Sequence, residues 1–343
     1  MYKIISKRKF YYAFSLALVI ASVVFLSMWG LKSGIDFTGG SLMQVSFQNT
    51  SRPSVEDISS VLKELDYMAD TTVQPVGDNE FIFRFKDVTE EQHQEILNKL
   101  KNKYVVTDAT TVDSAKDSQP KIEVVTESNK EIGNVNIEAV PVGVSDQASL
   151  QEEKFESVGP TIGQELKTKS FYAIILVIIA IIAYIAWSFR KVGRPVQSWK
   201  YGITAVIALV HDVTITCGVF ALLGHFYGVE VNTPFIAAVL TVLGYSVNDT
   251  IVVFDRIREN LHRYQGDFEE TVNISVNQTA VRSINTSMTV MFTLLAIFFF
   301  GGASIKFFAL ALIFGVFFGT YSSIFVASSL LVTWQNLIKK FSK

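Results

Sequence analysis

Charge and cysteine are both scarce in this chain, and the low charge excludes two broad classes of protein. Only 18% of the 343 residues are charged, while 49% are hydrophobic and the mean hydropathy is +0.33. This balance excludes an ordinary soluble protein and indicates a membrane protein that carries one soluble part. The net charge of −2 provides no bulk basicity, so we expect no nucleic-acid partner.

Ligands for metals and redox chemistry are also few. Cys217 is the single cysteine, which excludes an intrachain disulfide and a cysteine metal centre. The four histidines are scattered without metal-ligand spacing: His93, His211, His225 and His262. We therefore expect no metal, no cofactor and no enzymatic activity.

Long hydrophobic runs are what the chain has instead. A spanning helix needs roughly 20 apolar residues, and six stretches qualify: 10–30, 171–189, 201–224, 234–254, 284–302 and 305–334. The first run is longer than the core of a signal peptide and lacks an Ala-x-Ala-like exit, so we expect an uncleaved anchor. The last five form a predicted bundle over 170–334. The fold class is therefore a polytopic α-helical membrane protein with six spans.

The positions of lysine and arginine predict the orientation of these spans. They cluster before the first span, between spans two and three, between spans four and five, and in the tail 335–343. The short loops 225–233 and 301–304 contain none. By the positive-inside rule, both termini are cytoplasmic and residues 31–169 lie outside the cytoplasm.

One stretch between the fourth and fifth spans has a weaker apolar pattern. Residues 265–281 carry Phe268, Val272 and Val276 at a spacing of four, which is typical of an amphipathic helix. We expect this segment to lie on the cytoplasmic surface, where it would contact lipid or a partner.

The segment 31–169 has the pattern of a small α+β domain. Strands are predicted at 41–47, 71–76 and 80–85, and helices at 53–65 and 89–100, with Ser54 and Thr89 as caps. The order strand–helix–strand–strand–helix, with a further strand, predicts a ferredoxin-like split βαβ unit. The stretch 104–150 is either a β-rich insertion or a loop, and its residues favour neither.

One acidic residue, Asp249, lies inside the apolar run 235–254. A carboxylate at that depth costs about 3 kcal/mol on insertion scales. Thr241 and Tyr245 share its helix face, and Asn248 and Arg256 add polarity nearby. We expect Asp249 to gain and lose a proton with these residues as support. The alternative is a polar contact that only holds helices together.

Two other spans carry ionisable groups. His211 and Asp212 are neighbours in the third span, where they either tune a proton path or form an interhelical hydrogen bond. Arg282 begins the fifth span, with Thr286 on the same face. Arg282 is either a cationic partner for Asp249 or a side chain that extends to the membrane surface.

Small residues predict close packing at two places. Gly315 and Gly319 belong to a stripe of small residues in the sixth span, which is typical of a helix-packing face. Gly34 and the pair Gly39 and Gly40 flank Asp36 where the chain leaves the first span. We interpret Asp36 as a local hydrogen-bonding group.

Four motifs together resemble the SecD/SecF family of membrane subunits of bacterial protein export. They are GIDFTGG at 34–40, FESVGPTIGQEL at 155–166, LVHD at 209–212 and LGYSVNDTIVVFDRIREN at 243–260. The DFTGG motif resembles the SecF branch of the family more than it resembles the sister subunit SecD. The resemblance covers nearly the whole chain and is weakest near 104–150.

The resemblance implies a fold of the resistance–nodulation–division (RND) transporter type in the bacterial inner membrane. It implies a SecD partner that completes twelve spans, and association with the SecYEG channel and YajC. It also implies that the proton motive force drives cycles of the extracytoplasmic domains, which act on an unfolded polypeptide in transit. Asp249 matches the family's membrane aspartate, Arg282 its arginine at the head of the fifth span, and the other membrane carboxylate belongs to SecD.

Two alternatives stay open at this point. The chain could be a scaffold that holds translocase subunits together and moves no ions. It could also be a small-molecule exporter of the same superfold, which fold analogy does not exclude. Whether protons or sodium ions are coupled is not decided by the residues.

Overall fold

The computed structural model describes residues 2–48, 52–77, 79–105, 149–190, 197–264 and 266–341. It divides into two compact units, a membrane unit (Met1–Gly39 with Pro160–Lys343) and an α+β domain (Gly40–Gly159). Six helical segments among the described residues are long and apolar enough to cross a membrane, and all lie in the membrane unit. The chain is thus a multi-pass membrane protein, and the predicted fold class is confirmed.

The helices follow one another in a simple order. They are α1 (Arg8–Met28), α2 (Ile35–Thr38), α3 (Val55–Lys63), α4 (Glu90–Tyr104), α5 (Pro160–Ser188), α6 (Ser198–Tyr227), α7 (Thr233–Arg263), α8 (Phe268–Phe300), α9 (Ala303–Tyr321) and α10 (Ser328–Phe341). Helices α3 and α4 belong to the α+β domain, and the others to the membrane unit.

The α+β domain contains one four-stranded sheet. Its strands are β1 (Gly40–Gln48), β2 (Thr72–Val76), β3 (Glu80–Phe85) and β4 (Ser149–Val158), in the order β2-β3-β1-β4. All neighbouring strands are antiparallel, and α3 and α4 form the two crossovers. This is the ferredoxin-like arrangement that the element order predicted. Most of the undecided stretch 104–150 lies outside the described residues.

Local sequence signals explain the helix starts in this domain. The Ser54 hydroxyl accepts the backbone N–H of Asp57 at 3.0 Å, and Thr89 forms a reciprocal capping box with Gln92. Each cap satisfies an N–H group that lacks an intrahelical partner. The predicted caps of both helices are therefore confirmed.

The segment 265–281 differs from its prediction, because it is no separate surface helix. Helix α8 runs without interruption from Phe268 to Phe300 and includes almost all of it. Phe268, Val272 and Val276 are buried in the same core as Phe254 and Ile257 of α7. An apolar stripe at helical spacing has the same signature whether it meets lipid or a neighbouring helix, and here it packs against a helix.

The sixth span also departs from the uninterrupted helix that the hydropathy predicted. Between α9 and α10, residues Ser322–Ala327 form a π-helical segment. Segments of this kind are rare and often occur at functional sites. This π-segment begins at Ser322, which contacts one of the two membrane carboxylates described below.

Helices α7 and α9 approach each other closely along the small-residue stripe. A Cβ atom on Gly315 would lie 2.0 Å from a methyl of Val242, and one on Gly319 would lie 3.0 Å from the Cβ of Ser246. No side chain fits at Gly315 without displacement of α7. The two glycines therefore bring α9 against the helix that carries Asp249.

Candidate functional site

Asp212 is a fully buried carboxylate at the centre of the membrane unit. Its Oδ2 accepts hydrogen bonds from the hydroxyls of Ser246 at 2.6 Å and Ser322 at 2.8 Å. Its Oδ1 lies 2.9 Å from Nδ1 of His211. These contacts join α6, α7 and the start of the π-segment, so Asp212 links three helical segments through hydrogen bonds.

Next to this node, His211 has one ring nitrogen without a partner. Its Nε2 is buried and forms no hydrogen bond with any described residue. The ring stacks on Tyr321, with the ring centroids 6.3 Å apart. The imidazole is therefore held by Asp212 on one side, while its second nitrogen has no hydrogen-bond partner in the described part of the chain.

Asp249, on α7, is only 4% exposed, but it does not have hydrogen bonds like those of Asp212. Its Oδ2 is enclosed and has no hydrogen-bond partner within the described part of the chain. The hydroxyls of Ser283 and Thr320 lie beside the carboxylate. The Ser283 hydroxyl likewise makes no hydrogen bond of full geometry, although it lies close enough to the carboxylate to interact with it.

A row of hydroxyls continues from this carboxylate along α8 and α9. Thr320 and Ser287 are hydrogen-bonded at 2.5 Å, and the phenol of Tyr245 donates to Ser287 at 3.0 Å. All three lie inside the bundle or at its edge. Of the residues expected to support Asp249, Tyr245 joins it through this row.

The other expected supports lie elsewhere. Thr241, Asn248 and Thr286 are exposed, and both threonine hydroxyls bond to the backbone of their own helices. Arg256 binds Glu259 at 2.5 Å and Gln278 at 2.7 Å near the basic end of α7. The structure therefore separates these four side chains from the Asp249 carboxylate.

Arg282 is close to Asp249 without touching it. It is near enough to attract the carboxylate by charge, but it is exposed and forms no ion pair with any described residue. Thr286, Thr289 and Thr293 continue the same face of α8 and are also exposed. A polar face of this kind does not suit contact with lipid hydrocarbon.

Sequence reasoning missed the serines and threonines that surround the carboxylates. Ser283 and Ser287 are four residues apart on α8, so their spacing marks a second polar face, beside that of the exposed threonines. Thr320 and Ser322 are ordinary in composition for a membrane helix. Only their burial against α6 and α7 reveals their role.

At the other end of the bundle, a short strap (residues 32–39) binds the start of α7. The Oδ2 of Asp36 accepts the N–H of Thr233 at 2.8 Å, and the N–H of Gly34 donates to the carbonyl of Val231 at 2.8 Å. A Cβ on Gly163 of α5 would lie 3.0 Å from the Gly39 nitrogen. Asp36 is thus a hydrogen-bonding group, as predicted, but its partner lies 197 residues further along the chain and not in its own loop.

Comparison with known proteins identifies the relatives of the chain. Residues 141–337 match the family described as "Protein export membrane protein SecD/SecF, C-terminal", and residues 30–51 match the "SecD/SecF GG Motif". Protein translocase subunit SecF of Thermobaculum terrenum is 42% identical over 98% of this chain and 95% of its own length. The SecF of Vibrio alginolyticus is 36% identical over 93% of this chain and 85% of its own length.

Two solved structures are similar along nearly the whole chain. The crystal structure of SecDF from Thermus thermophilus, a translocon-associated membrane protein, is 29% identical, with a TM-score of 0.74 over 98% of this chain. SecDF in its super-membrane-facing form is 30% identical, with a TM-score of 0.61 over 99% of this chain. The match covers 39% and 40% of those two chains, so this chain spans about two fifths of their length.

Proposed function

The chain belongs to the SecD/SecF family of protein export membrane proteins, and we propose that it is the SecF-type subunit of a Sec translocase driven by the proton motive force. Its relatives are named protein translocase subunits, which supports the role in export. The buried membrane carboxylates of the chain support the coupling to protons. The cytoplasmic position of both termini follows from the positive-inside rule, and the bacterial inner membrane is the location that the family resemblance implies.

We assign the proton-carrying role to Asp249, and one observation carries this assignment. Its buried Oδ2 makes no hydrogen bond of full geometry with any described residue, although the hydroxyls of Ser283 and Thr320 lie close enough to interact with the carboxylate. A protonated carboxyl can donate to a hydroxyl oxygen, whereas an ionised carboxylate needs the hydroxyl to donate. Since hydroxyls do both, small rotations can suit either state of Asp249.

Arg282 acts in this proposal as the charge that favours ionised Asp249. Its attraction reaches the carboxylate without direct contact. A helix movement of a few ångströms would therefore strengthen or weaken the attraction without a tight ion pair having to break. That sensitivity to position is what couples a proton to a conformational change.

His211 and Asp212 have a different part in the same site. Asp212 is held by hydroxyls from α7 and the π-segment, which suits a group that positions helices. His211, with its free Nε2, tunes the charge on Asp212 and hydrates or extends the path. Both therefore support Asp249.

The exposed polar face of α8 is the proposed contact with SecD. Arg282, Thr286, Thr289 and Thr293 form a stripe that lipid would not cover well. The related SecDF structures are more than twice as long as this chain, which supports a second half that completes the bundle. SecD would also supply the other membrane carboxylate that the family resemblance implies. Association with SecYEG, YajC and the unfolded polypeptide follows from the family alone.

The strap offers a route from the proton site to the α+β domain. Asp36 holds the first turn of α7, the helix that carries Asp249. The strap ends at Gly39 and the α+β domain begins at Gly40, and these two glycines have φ angles of 75° and 117°. A shift of α7 would pull on this connection. The two left-handed glycines give it freedom to rotate.

The test is export of a secretory protein into vesicles that contain the assembled translocase, with and without a proton gradient. Asp249→Asn should lower the gradient-dependent part of export at least about tenfold, which corresponds to about 1.4 kcal/mol. Asp255→Asn, an exposed aspartate on the same helix, is the matched control and should export like wild type. Assembly is checked by co-purification in each case.

Wild-type export by an assembled Asp249→Asn complex would reject the proton-site role and favour the scaffold. If Asp249→Asn impairs export only under a sodium gradient, the coupled ion is sodium. Co-purification with no second six-span chain would favour the small-molecule exporter instead.

A further inference from the structure

A cleft of about 580 Å³ lies beside the N-terminus of the membrane unit, between the first residues, α8 and the π-segment. Two lysines line it, Lys3 and Lys7, together with Tyr2 and Tyr11. Its opposite wall is apolar and includes Val281 and Ile284 of α8, which are 66% and 46% exposed. One cleft thus combines positive charge, two phenols and exposed aliphatic surface.

The backbone around Lys3 and Lys7 is held in place by hydrogen bonds that do not involve the ammonium groups of the two lysines. The amide of Asn277 bonds both the N–H and the carbonyl of Tyr2, at 2.9 and 2.8 Å. Asn273 bonds the Tyr2 carbonyl at 3.1 Å and the N–H of Ile5 at 3.2 Å. The N-terminal residues are therefore fastened along α8 by neutral groups, and this fixes where the lysines stand.

The charge of the cleft is not neutralised by the protein. Among the described residues, no carboxylate lies within ion-pair distance of Lys3 or Lys7, and no acidic side chain lines the cleft. Arg8, next in sequence, does have a partner, since it pairs with Glu269 at 2.5 Å. Lys3 and Lys7 thus differ from Arg8, because neither has an anionic partner among the described residues.

We propose that this cleft binds an anionic phospholipid, with its phosphate between Lys3 and Lys7 and its acyl chains along Val281 and Ile284. The cleft lies at the end of the spans where lysines and arginines cluster, which places it on the cytoplasmic side by the positive-inside rule. Basic pockets between spans on that side are suited to acidic headgroups. The phenols of Tyr2 and Tyr11 fit the same boundary between water and hydrocarbon.

A protein helix is the competing occupant, and it fits the charges less well. A helix that covered the cleft would bury two ammonium groups and would have to bring carboxylates to them. A phospholipid supplies the anion and the hydrocarbon in one molecule and leaves the lysine side chains in contact with water. Charge complementarity therefore favours the lipid.

The test measures lipid binding to the purified, delipidated translocase complex by native mass spectrometry. Phosphatidylglycerol and phosphatidylcholine with identical acyl chains are added separately, and the ratio of bound lipids gives the preference. In the double variant Lys3→Gln/Lys7→Gln, the ratio of bound phosphatidylglycerol to phosphatidylcholine should fall about tenfold. The double variant Lys9→Gln/Lys340→Gln removes the same charge at exposed positions outside the cleft and should keep it.

A third variant separates the cleft from general surface charge. Ala280→Trp fills the cleft while both lysines remain, and it should also abolish the preference. A preference that survives in Ala280→Trp, or in Lys3→Gln/Lys7→Gln, overturns the proposal. A photoreactive residue placed at Ile284 should cross-link to lipid, and a cross-link to a polypeptide instead would assign the cleft to a partner subunit. None of these readouts depends on export.

Discussion

Asp212 and Asp249 are both buried in the membrane unit, one on α6 and the other on the neighbouring α7. Asp212 accepts two hydroxyl hydrogen bonds and contacts an imidazole, so its partners are in place. Asp249 has hydroxyls beside it but an unsatisfied oxygen. The difference teaches that burial alone does not identify a proton carrier. A carboxylate that is fully supplied with donors fixes a structure, whereas one that is partly supplied can change its state.

The largest expected effect comes from removing each carboxylate in turn. Asp212→Ala leaves Ser246, Ser322 and His211 without their shared acceptor, so unfolding should be easier by about 3–5 kcal/mol. Asp249→Ala removes a carboxylate that has no completed bond at Oδ2, so its cost should be below about 1 kcal/mol. Unfolding of the purified chain in mixed micelles with increasing SDS measures both.

Equal costs for the two alanine variants would remove the distinction between a structural and a functional carboxylate. Asp212→Asn is the control, since its amide keeps an oxygen acceptor for one of the hydroxyls. It should fall between wild type and Asp212→Ala.

An effect of intermediate size tests how tightly α9 packs against α7, the helix that carries Asp249. Gly315→Ala places a methyl group against Val242, and overpacking of this kind costs about 1–3 kcal/mol. Gly244→Ala, on α7 with open space around its Cβ position, should be neutral or slightly stabilising.

Rescue by a second substitution makes that comparison sharper. Val242→Ala removes the methyl groups that Gly315→Ala would meet, so the double variant should recover part of the lost stability. If the stability changes of the two single variants simply add in the same SDS titration, the role of Gly315 is not to permit the close approach of α9 to α7.

The smallest expected effect concerns the strap at the start of α7. Asp36→Ala removes the acceptor for the Thr233 N–H, which should cost about 1 kcal/mol of stability. Because the strap also connects α7 with the α+β domain, gradient-dependent export should fall by about fivefold in an assembled complex. Asp36→Asn keeps an oxygen acceptor and should restore both readouts. Normal export by Asp36→Ala would show that coupling does not pass through the strap.

Much of the architecture was predictable because it depends on local patterns. Hydropathy along the chain predicted six spans, and alternation with cap residues predicted the order of the α+β domain, down to Ser54 and Thr89. Asp249 stood out because a carboxylate in an apolar run is costly wherever the helix packs. These signals need no knowledge of which segments meet.

The errors have a common physical cause. The stripe of Phe268, Val272 and Val276 predicted a helix correctly, but periodicity does not say whether its apolar face meets lipid or α7. Similarly, Ser283 and Ser287 repeat at helical spacing just as Arg282 and Thr286 do, so spacing alone does not tell which face of α8 is buried. Which face is inside depends on neighbours that the local sequence does not contain.

The sequence by itself determined that this protein spans a membrane six times, carries one α+β domain and places two aspartates in apolar surroundings. Only the tertiary structure decided which aspartate has its hydrogen bonds completed. Ser322 reaches Asp212 across 110 residues of sequence, and the hydroxyls beside Asp249 come from α8 and α9. Transfer of a side chain into hydrocarbon is a property of each segment alone, whereas hydrogen-bond satisfaction is a property of the segments that fold together.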